Sequence, residues 1–195
     1  MELAVGIPVA SSVAAKPAAS TEAALVARAQ RGDHQAFEAL VRQHQNSVVN
    51  VARRIVGDSE AAQDVAQEAF IKAYRQLHRF RGDAAFATWL YSITVNEARA
   101  HLRSQKRRQA RWEKERDLAA AETQVRTPDH QAEPLLALMQ ELPEKQRAAL
   151  ALFYLEELSL NEIAQASGAP TGTVKAWLSR GRERLRQLAV ERGLL

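Results

Sequence analysis

Three glycine–aspartate pairs, Gly32-Asp33, Gly57-Asp58 and Gly82-Asp83, cut the first half of the chain into segments of helical length. Glycine tolerates the left-handed backbone that ends a helix, and aspartate accepts a hydrogen bond from the orphan N–H groups that begin one. Each pair therefore reads as a stop followed by a start. Apolar residues between the pairs recur at helical spacing. The first helix is expected from about Thr21 to Gln30, with Ser20 as N-cap and Glu22 in its first turn. In the second, Phe37, Leu40, Val41, Val48, Val51 and Ile55 line one side. The third starts at Asp58 or Ser59 and buries Val65, Ala66, Ala69, Phe70, Ala73, Tyr74 and Leu77. The fourth draws apolar bulk from Phe86, Trp89, Leu90, Ile93 and Val95, and runs out into a basic stretch near Arg103.

Apolar periodicity is lost over residues 106–133, which contain Pro128 and end at Pro134. This segment reads as a linker with some helix near Arg111 to Ala121. A second helical unit follows. Leu135, Leu136, Leu138 and Met139 belong to its first helix, and Pro143 opens the next, where Leu150, Leu152, Phe153 and Leu155 make core contacts. Ser159 and Glu162 have the spacing of a capping box. The short helix they open ends at Gly168, the chain turns at Ala169-Pro170, and Thr171 is expected to cap the last helix. The fold expected is all-α: two small helical domains joined by a flexible linker. The boundaries are residues 1–19 as a disordered tail, 20–105, 106–133 as linker, and 134–195.

Composition agrees with helices. Glycine (8) and proline (6) are scarce, and 46% of the 195 residues are hydrophobic. With no cysteine, disulfides and thiolate metal sites are excluded, and a reducing cytoplasm fits. No run of 18 apolar residues spans a membrane. The first residues superficially resemble a secretion signal, but lack a basic start and are broken by Pro8.

Charge is distributed more tellingly than its total of +4 suggests. Arg99 to Arg116 carries a local net charge of +6, and Lys175 to Arg192 one of +4. Two basic patches on a nearly balanced chain suggest a polyanion; the alternative is a pair of solvated helix faces. The second patch lies on the later helix of a helix–turn–helix pattern. Val174, Leu178, Leu185 and Leu188 share one side of that helix, while Lys175, Ala176, Ser179, Arg180, Glu183 and Arg186 project the other way. Residues near the start of such a helix reach base edges in a major groove. Arg180 can fork onto guanine, and Lys175 can serve a base or a phosphate. Trp177 lies on the flank as a partly buried packing residue.

Three collinear motif groups resemble those of extracytoplasmic-function sigma factors of the sigma-70 superfamily. Asp64-Val65-Ala66-Gln67-Glu68-Ala69-Phe70-Ile71-Lys72-Ala73-Tyr74 is similar to their polymerase-clamp-binding helix. Phe80-Arg81-Gly82-Asp83, then Phe86-Ala87-Thr88-Trp89-Leu90-Tyr91 and Asn96, resembles their promoter-melting and −10-reading segment. Leu142-Pro143-Glu144, Leu158 to Ala164 and Gly172-Thr173-Val174-Lys175 resemble their −35-reading domain. The resemblance covers residues 21–105 and 134–195. It implies a non-enzymatic subunit that binds core RNA polymerase through the β′ clamp helices and the β flap. Promoter DNA is the second partner and an anti-sigma factor the third. Asp64, Gln67, Glu68 and Ile71 would face polymerase. Arg79, Arg81, Asn96, Arg99 and Arg103 would hold the opened −10 strand. Thr173, Lys175, Ala176, Ser179 and Arg180 would read the −35 duplex. Phe86 and Trp89 are assigned to the core. Trp177 and the N-terminal tail depart from the family pattern, so the −35 preference does not carry over.

Rival readings lack parts. The five histidines (His34, His44, His78, His101, His130) show no ligand spacing, and no phosphate loop, nucleophile elbow or paired-carboxylate motif appears. No catalytic residue, metal or cofactor is therefore expected. His44 and His78 read as surface or satisfied residues. A free-standing helix-turn-helix regulator would need a dimer surface, and no heptad seam is visible. A pure protein adaptor leaves the basic clusters without a purpose.

Overall fold

The structure, a computed structural model, describes residues 19–116 and 134–194. The described residues form eight α-helices and one 3₁₀ turn, with no strand. The first domain comprises α1 (Ala19–Gln30), α2 (His34–Val56), α3 (Ser59–Gln76), the turn Leu77–Arg79, and α4 (Phe86–Arg116). The second comprises α5 (Pro134–Gln140), α6 (Glu144–Tyr154), α7 (Leu160–Ser167) and α8 (Thr171–Glu191).

Two of the three glycine–aspartate pairs work as expected. The carboxylate of Asp33 accepts from the Ala36 N–H at 3.0 Å, and that of Asp58 from the Ala61 N–H at 2.7 Å. Arg28 reinforces the first corner, its guanidinium 2.7 Å from Asp33. The third pair differs: α4 starts only at Phe86, so Asp83 sits in the preceding loop rather than at the cap. Three further caps are displaced by a residue or two. Ser20 lies inside α1, Pro143 precedes α6, and Pro170 holds the cap position of α8 with Thr171 as its first residue. Proline's fixed φ and missing N–H suit the start of a helix, and neither α6 nor α8 has a side-chain cap.

The larger difference is α4. It runs unbroken for 31 residues to Arg116, about 46 Å, through the stretch expected to be linker from residue 106. Loss of apolar periodicity marks where packing ends, not where helix ends, because arginine, lysine and glutamine favour helix without a core. The remainder of the expected linker helix, residues 117–121, and the tail of residues 1–18 lie outside the described residues.

Leu40, Val48, Val51, Ile55, Val65, Ala69, Leu90 and Val95 form the centre of the first domain. Leu152, Ile163, Val174 and Leu188 fill the second. The expected stripes overreach at their ends: Tyr74, Leu135 and Leu155 are exposed. The two domains pack directly on one another, α7 against α4 and α5 and α6 against α2. Three polar ties cross the seam. The Tyr91 hydroxyl donates to the Glu156 carboxylate, the Gln140 side-chain amide donates to the Arg54 carbonyl at 3.1 Å, and Arg99 Nε lies 3.0 Å from Glu144 Oε1. Gly57 makes the second approach possible. Its φ is +85°, and an added Cβ would collide with the Gln140 side chain.

Candidate nucleic-acid interface

The helix-turn-helix is set by reciprocal hydrogen bonds at the start of α7. Ser159 Oγ accepts from the Glu162 N–H at 3.3 Å, and Glu162 Oε2 accepts from the Ser159 N–H at 2.9 Å. Gly168, with φ of 64°, closes the helix, and Thr171 Oγ1 donates back to Asn161 at 3.3 Å across the turn. α8 then leaves at the angle fixed by its own buried stripe. Val174, Leu178 and Leu188 are buried, and Leu185 is half-buried. Of the expected reading residues, Lys175, Ser179 and Arg180 are exposed, while Thr173 and Ala176 are half-exposed and share that face. Trp177 is half-buried, with Lys145 Nζ 5.7 Å from its ring centre. Further along, Arg186 and Glu183 pair at 3.0 Å. The Arg186 hydrogen bond holds the Glu183 carboxyl below the usual range.

On α3, Asp64, Gln67 and Glu68 are exposed and Ile71 is half-buried, forming a ridge. Beside it, between α2 and α3, lies an open apolar groove of about 640 Å³ lined by Phe37, Val41, Gln67, Phe70, Ile71 and Tyr74. The sequence stripe placed Phe37, Phe70 and Tyr74 in the core. Instead they form the floor and wall of this groove. Tyr74 turns outward to hydrogen-bond His34 Nδ1 at 2.9 Å, its ring 4.9 Å from that of Phe37.

Of the residues expected to hold opened DNA, Arg79, Arg81, Asn96 and Arg103 are exposed. Arg99 is not presented to solvent. Its side chain is 13% exposed, paired with Glu144 and donating to the Ser167 carbonyl at 3.4 Å. The aromatic residues divide as expected: Phe86 is buried and Trp89 half-buried, in a cluster with Phe80 whose ring centres lie 5.2–5.8 Å apart. Tyr91 is buried too, committed to Glu156 across the domain seam. Burial first, and the Glu156 charge second, push its phenol above its ordinary range, so it remains a donor.

Sequence reasoning missed the part played by α1. Gln30 donates to the carbonyls of Leu77 at 3.0 Å and Phe80 at 2.8 Å, and so pins the start of the loop of residues 80–85. A cavity of about 370 Å³ opens between α1 and that loop, lined by Glu22, Val26, Gln30, Phe80, Arg81 and Phe86. Glu22 also binds the buried His44 at 2.8 Å, which satisfies that histidine. Among the described residues no group of histidine, aspartate and glutamate could hold a metal ion, and no helix is long and apolar enough to cross a membrane.

With this geometry in view, comparison with known proteins is specific. A family model described as Sigma-70 region 2 matches residues 40–108, and one described as Sigma-70, region 4 matches residues 132–185. The RNA polymerase sigma-H factor of Pseudomonas aeruginosa is 42% identical over 175 residues, covering 82% of this chain and 89% of that protein. The ECF RNA polymerase sigma-E factor of Escherichia coli is 39% identical over 175 residues, covering 84% of this chain and 91% of that protein. Among solved structures, CnrH in complex with the cytosolic domain of CnrY superposes with a TM-score of 0.66 at 25% identity, covering 88% of this chain and 98% of that one. The sigma factor RpoE in complex with the anti-sigma factor NepR, from Bartonella quintana, superposes at 0.61 and 24% identity, over 78% of this chain and 95% of that one.

Proposed function

The chain belongs to the extracytoplasmic-function sigma factors of the sigma-70 family, which act in promoter-specific transcription initiation, and we propose the residues by which it does so. The ridge of Asp64, Gln67, Glu68 and Ile71 docks on the clamp helices of the polymerase β′ subunit. The second domain offers polymerase another surface. An apolar pocket of about 330 Å³ lined by Leu135, Met139, Leu150, Tyr154, Leu155 and Leu185 suits an apolar element such as the β flap. Thr173, Lys175, Ala176, Ser179 and Arg180 read the −35 duplex. Arg79, Arg81, Asn96, Arg99 and Arg103 hold the opened −10 strand. DNA opening draws on binding energy, and no hydrolysis by this chain is required.

One observation carries this reading: an exposed, basic helix-turn-helix face on one domain coexists with an acidic, groove-flanked ridge on the other. A free-standing repressor needs only the first. Titrating core RNA polymerase with the protein tests it, against a variant carrying Asp64→Ala and Glu68→Ala. Tight binding that the variant weakens supports the proposal; binding to DNA alone, with none to polymerase, overturns it.

The docked arrangement is not the promoter-bound one. Elements named −35 and −10 lie 25 base pairs apart, about 85 Å of duplex at about 3.4 Å per pair. Here Arg99 of the −10 set touches Ser167, only four residues before α8 begins. The domains must part. The folded-together form is the natural target for an inhibitor that holds the domains closed, which supports an anti-sigma factor as the further partner.

A further inference from the structure

Three of the seven large apolar side chains exposed among the described residues, Leu135, Tyr154 and Leu155, stand around one cavity of the second domain. Exposed apolar groups that gather in one place, rather than scatter, mark a surface built to be covered. Met139 and Leu150, both buried, add to the apolar lining. The cavity does not belong to that domain alone. Its wall includes Arg54, in the last turn of α2, and the Gln140 amide holds α5 against that turn through the Arg54 carbonyl at 3.1 Å. Closure of the two domains therefore encloses a volume, about 330 Å³, that a parted second domain would offer only as an open face. Two arginines and no carboxylate are among the lining residues. The second arginine, Arg182, has no part in the reading face of α8. At about 100° per residue it lies about 40° from Leu178, on the packing side, and about 160° from Arg180. Its neighbours Arg184 and Arg186 pair with Glu191 and Glu183, whereas Arg182 is exposed and makes no ion pair among the described residues. A long basic side chain beside apolar surface lays its stem along that surface and keeps its charged head at the water's edge. The cavity is thus apolar inside and cationic at its mouth.

We infer that this cavity is a binding site for a free, single-chain aliphatic carboxylate, the chain filling the apolar interior and the carboxylate meeting Arg182 and Arg54. Size selects the class. One helical turn with its side chains, about 10 Å across and 5.4 Å long, occupies about 420 Å³, so no partner helix enters whole while the domains are closed. A methylene takes about as much space as a water molecule, about 30 Å³, and about ten of them fill the cavity. A two-chain lipid is excluded on the same count. Charge selects the head. A carboxylate matches the planar fork of a guanidinium with two parallel hydrogen bonds, a match that an uncharged or cationic amphiphile leaves unused. The site has a mechanical consequence. A ligand that touches Arg54 on one domain and Leu135 and Arg182 on the other binds the closed form better. It opposes, by that differential affinity, the parting that the proposed promoter binding requires. It also fills the pocket that the proposed flap contact would use. The inference goes beyond that functional reading and stands without it, because the cavity is present in the free chain.

The probe is decanoate, titrated calorimetrically into the full chain at concentrations below those at which it forms micelles. One saturable site per chain is expected. Affinity rises about 4-fold for each methylene from hexanoate to decanoate and levels off beyond about ten carbons, where the cavity is full. Decanol, which lacks the charge, binds about 10-fold more weakly. Arg182→Gln, at an exposed position where folding is not at stake, loses about 5-fold, the value of a charged pair at the water's edge. Arg182→Lys keeps the preference for decanoate over decanol. In chains spin-labelled on each domain, saturating decanoate raises the ratio of closed to open molecules. No saturable binding up to about 1 mM overturns the inference. So does decanol binding as well as decanoate, an Arg182→Gln affinity equal to the wild type's, or an unchanged closed fraction at saturation. A signal seen only with vesicles that contain decanoate, and not with the free acid, also overturns it and assigns the surface to a membrane.

Discussion

Tyr91→Phe removes a single oxygen, and the structure says what that oxygen does. The ring is buried at 3% exposure, and the hydroxyl donates to the carboxylate of Glu156, on the other domain. The Ser47 side chain is its second polar neighbour. A hydrogen bond to a charged group contributes about 1.5–3 kcal/mol, against about 1 for a neutral pair. Phenylalanine keeps the packing and leaves Glu156 half-buried without its donor. The expected loss falls on domain docking rather than on either core: the ratio of closed to open molecules drops about 10- to 150-fold. The chain contains no cysteine, so spin labels placed by Gln43→Cys on α2 and Gln165→Cys on α7 report the interdomain distance without interference. Measured at several temperatures, wild type and variant each pass through a resolvable mixture. Glu156→Gln completes a double-mutant cycle, which isolates the pair from the burial of each partner. A coupling energy below about 0.5 kcal/mol refutes the assignment, since contacting groups that act together exceed that value. An unchanged melting temperature for each domain is part of the expected result.

Other perturbations separate the remaining parts. Gly57→Ala forces a side chain into a left-handed backbone and against Gln140, so the closed fraction in the same distance measurement falls while −35 duplex binding does not. Ser159→Ala removes the Oγ half of the capping box, keeps the backbone N–H bond to Glu162, and costs about 1 kcal/mol, read as a lower melting temperature of the second domain. Lys175→Ala with Arg180→Ala weakens −35 duplex binding, with about 1–3 kcal/mol of base discrimination lost at the position Arg180 reads, while polymerase binding, checked by titration, is unchanged. The acid limb of stability involves Asp33, whose carboxyl is held below its ordinary value chiefly by the Ala36 N–H and then by Arg28. A depressed carboxyl contributes above its unfolded value of about 3.9 and loses that contribution as pH falls through the folded value. Asp33→Asn therefore flattens the stability-against-pH curve below about pH 4 in denaturant titrations.

The fold is legible wherever a residue's role is local. Gly57, Asp58, Ser159 and Gly168 act on their own helix ends, and their spacing announces it. Apolar stripes locate the longer helices, since one face of each must be buried, and end signals locate α1 and α7. Legibility fails where partners lie far away in sequence. Nothing near Tyr91 points to Glu156, 65 residues on, and nothing near Arg99 points to Glu144. The end of α4 is hidden because burial and helicity are separate signals: Lys106 to Arg111 are good helix formers with nothing to bury. Gln30 reads as an ordinary surface residue, although two carbonyls 47 and 50 positions away define its task. The groove residues Phe37, Phe70 and Tyr74 differ from core only in that no third helix among the described residues covers them.

In the proposed reading, docking and DNA binding draw on the same guanidinium, that of Arg99. In the closed form Arg99 is held by the Glu144 carboxylate and the Ser167 carbonyl. Domain parting exposes it, and a phosphate can then take the place that the carboxylate held. The two events are thus linked by a common group, and linkage is reciprocal: whatever factor DNA gains from the open form, the closed form loses by the presence of DNA. The same reasoning applies to polymerase, whose two proposed docking surfaces lie on different domains. A partner that holds both at the wider spacing of a promoter adds its differential affinity to the opening, and a partner that bridges them at the present spacing subtracts it.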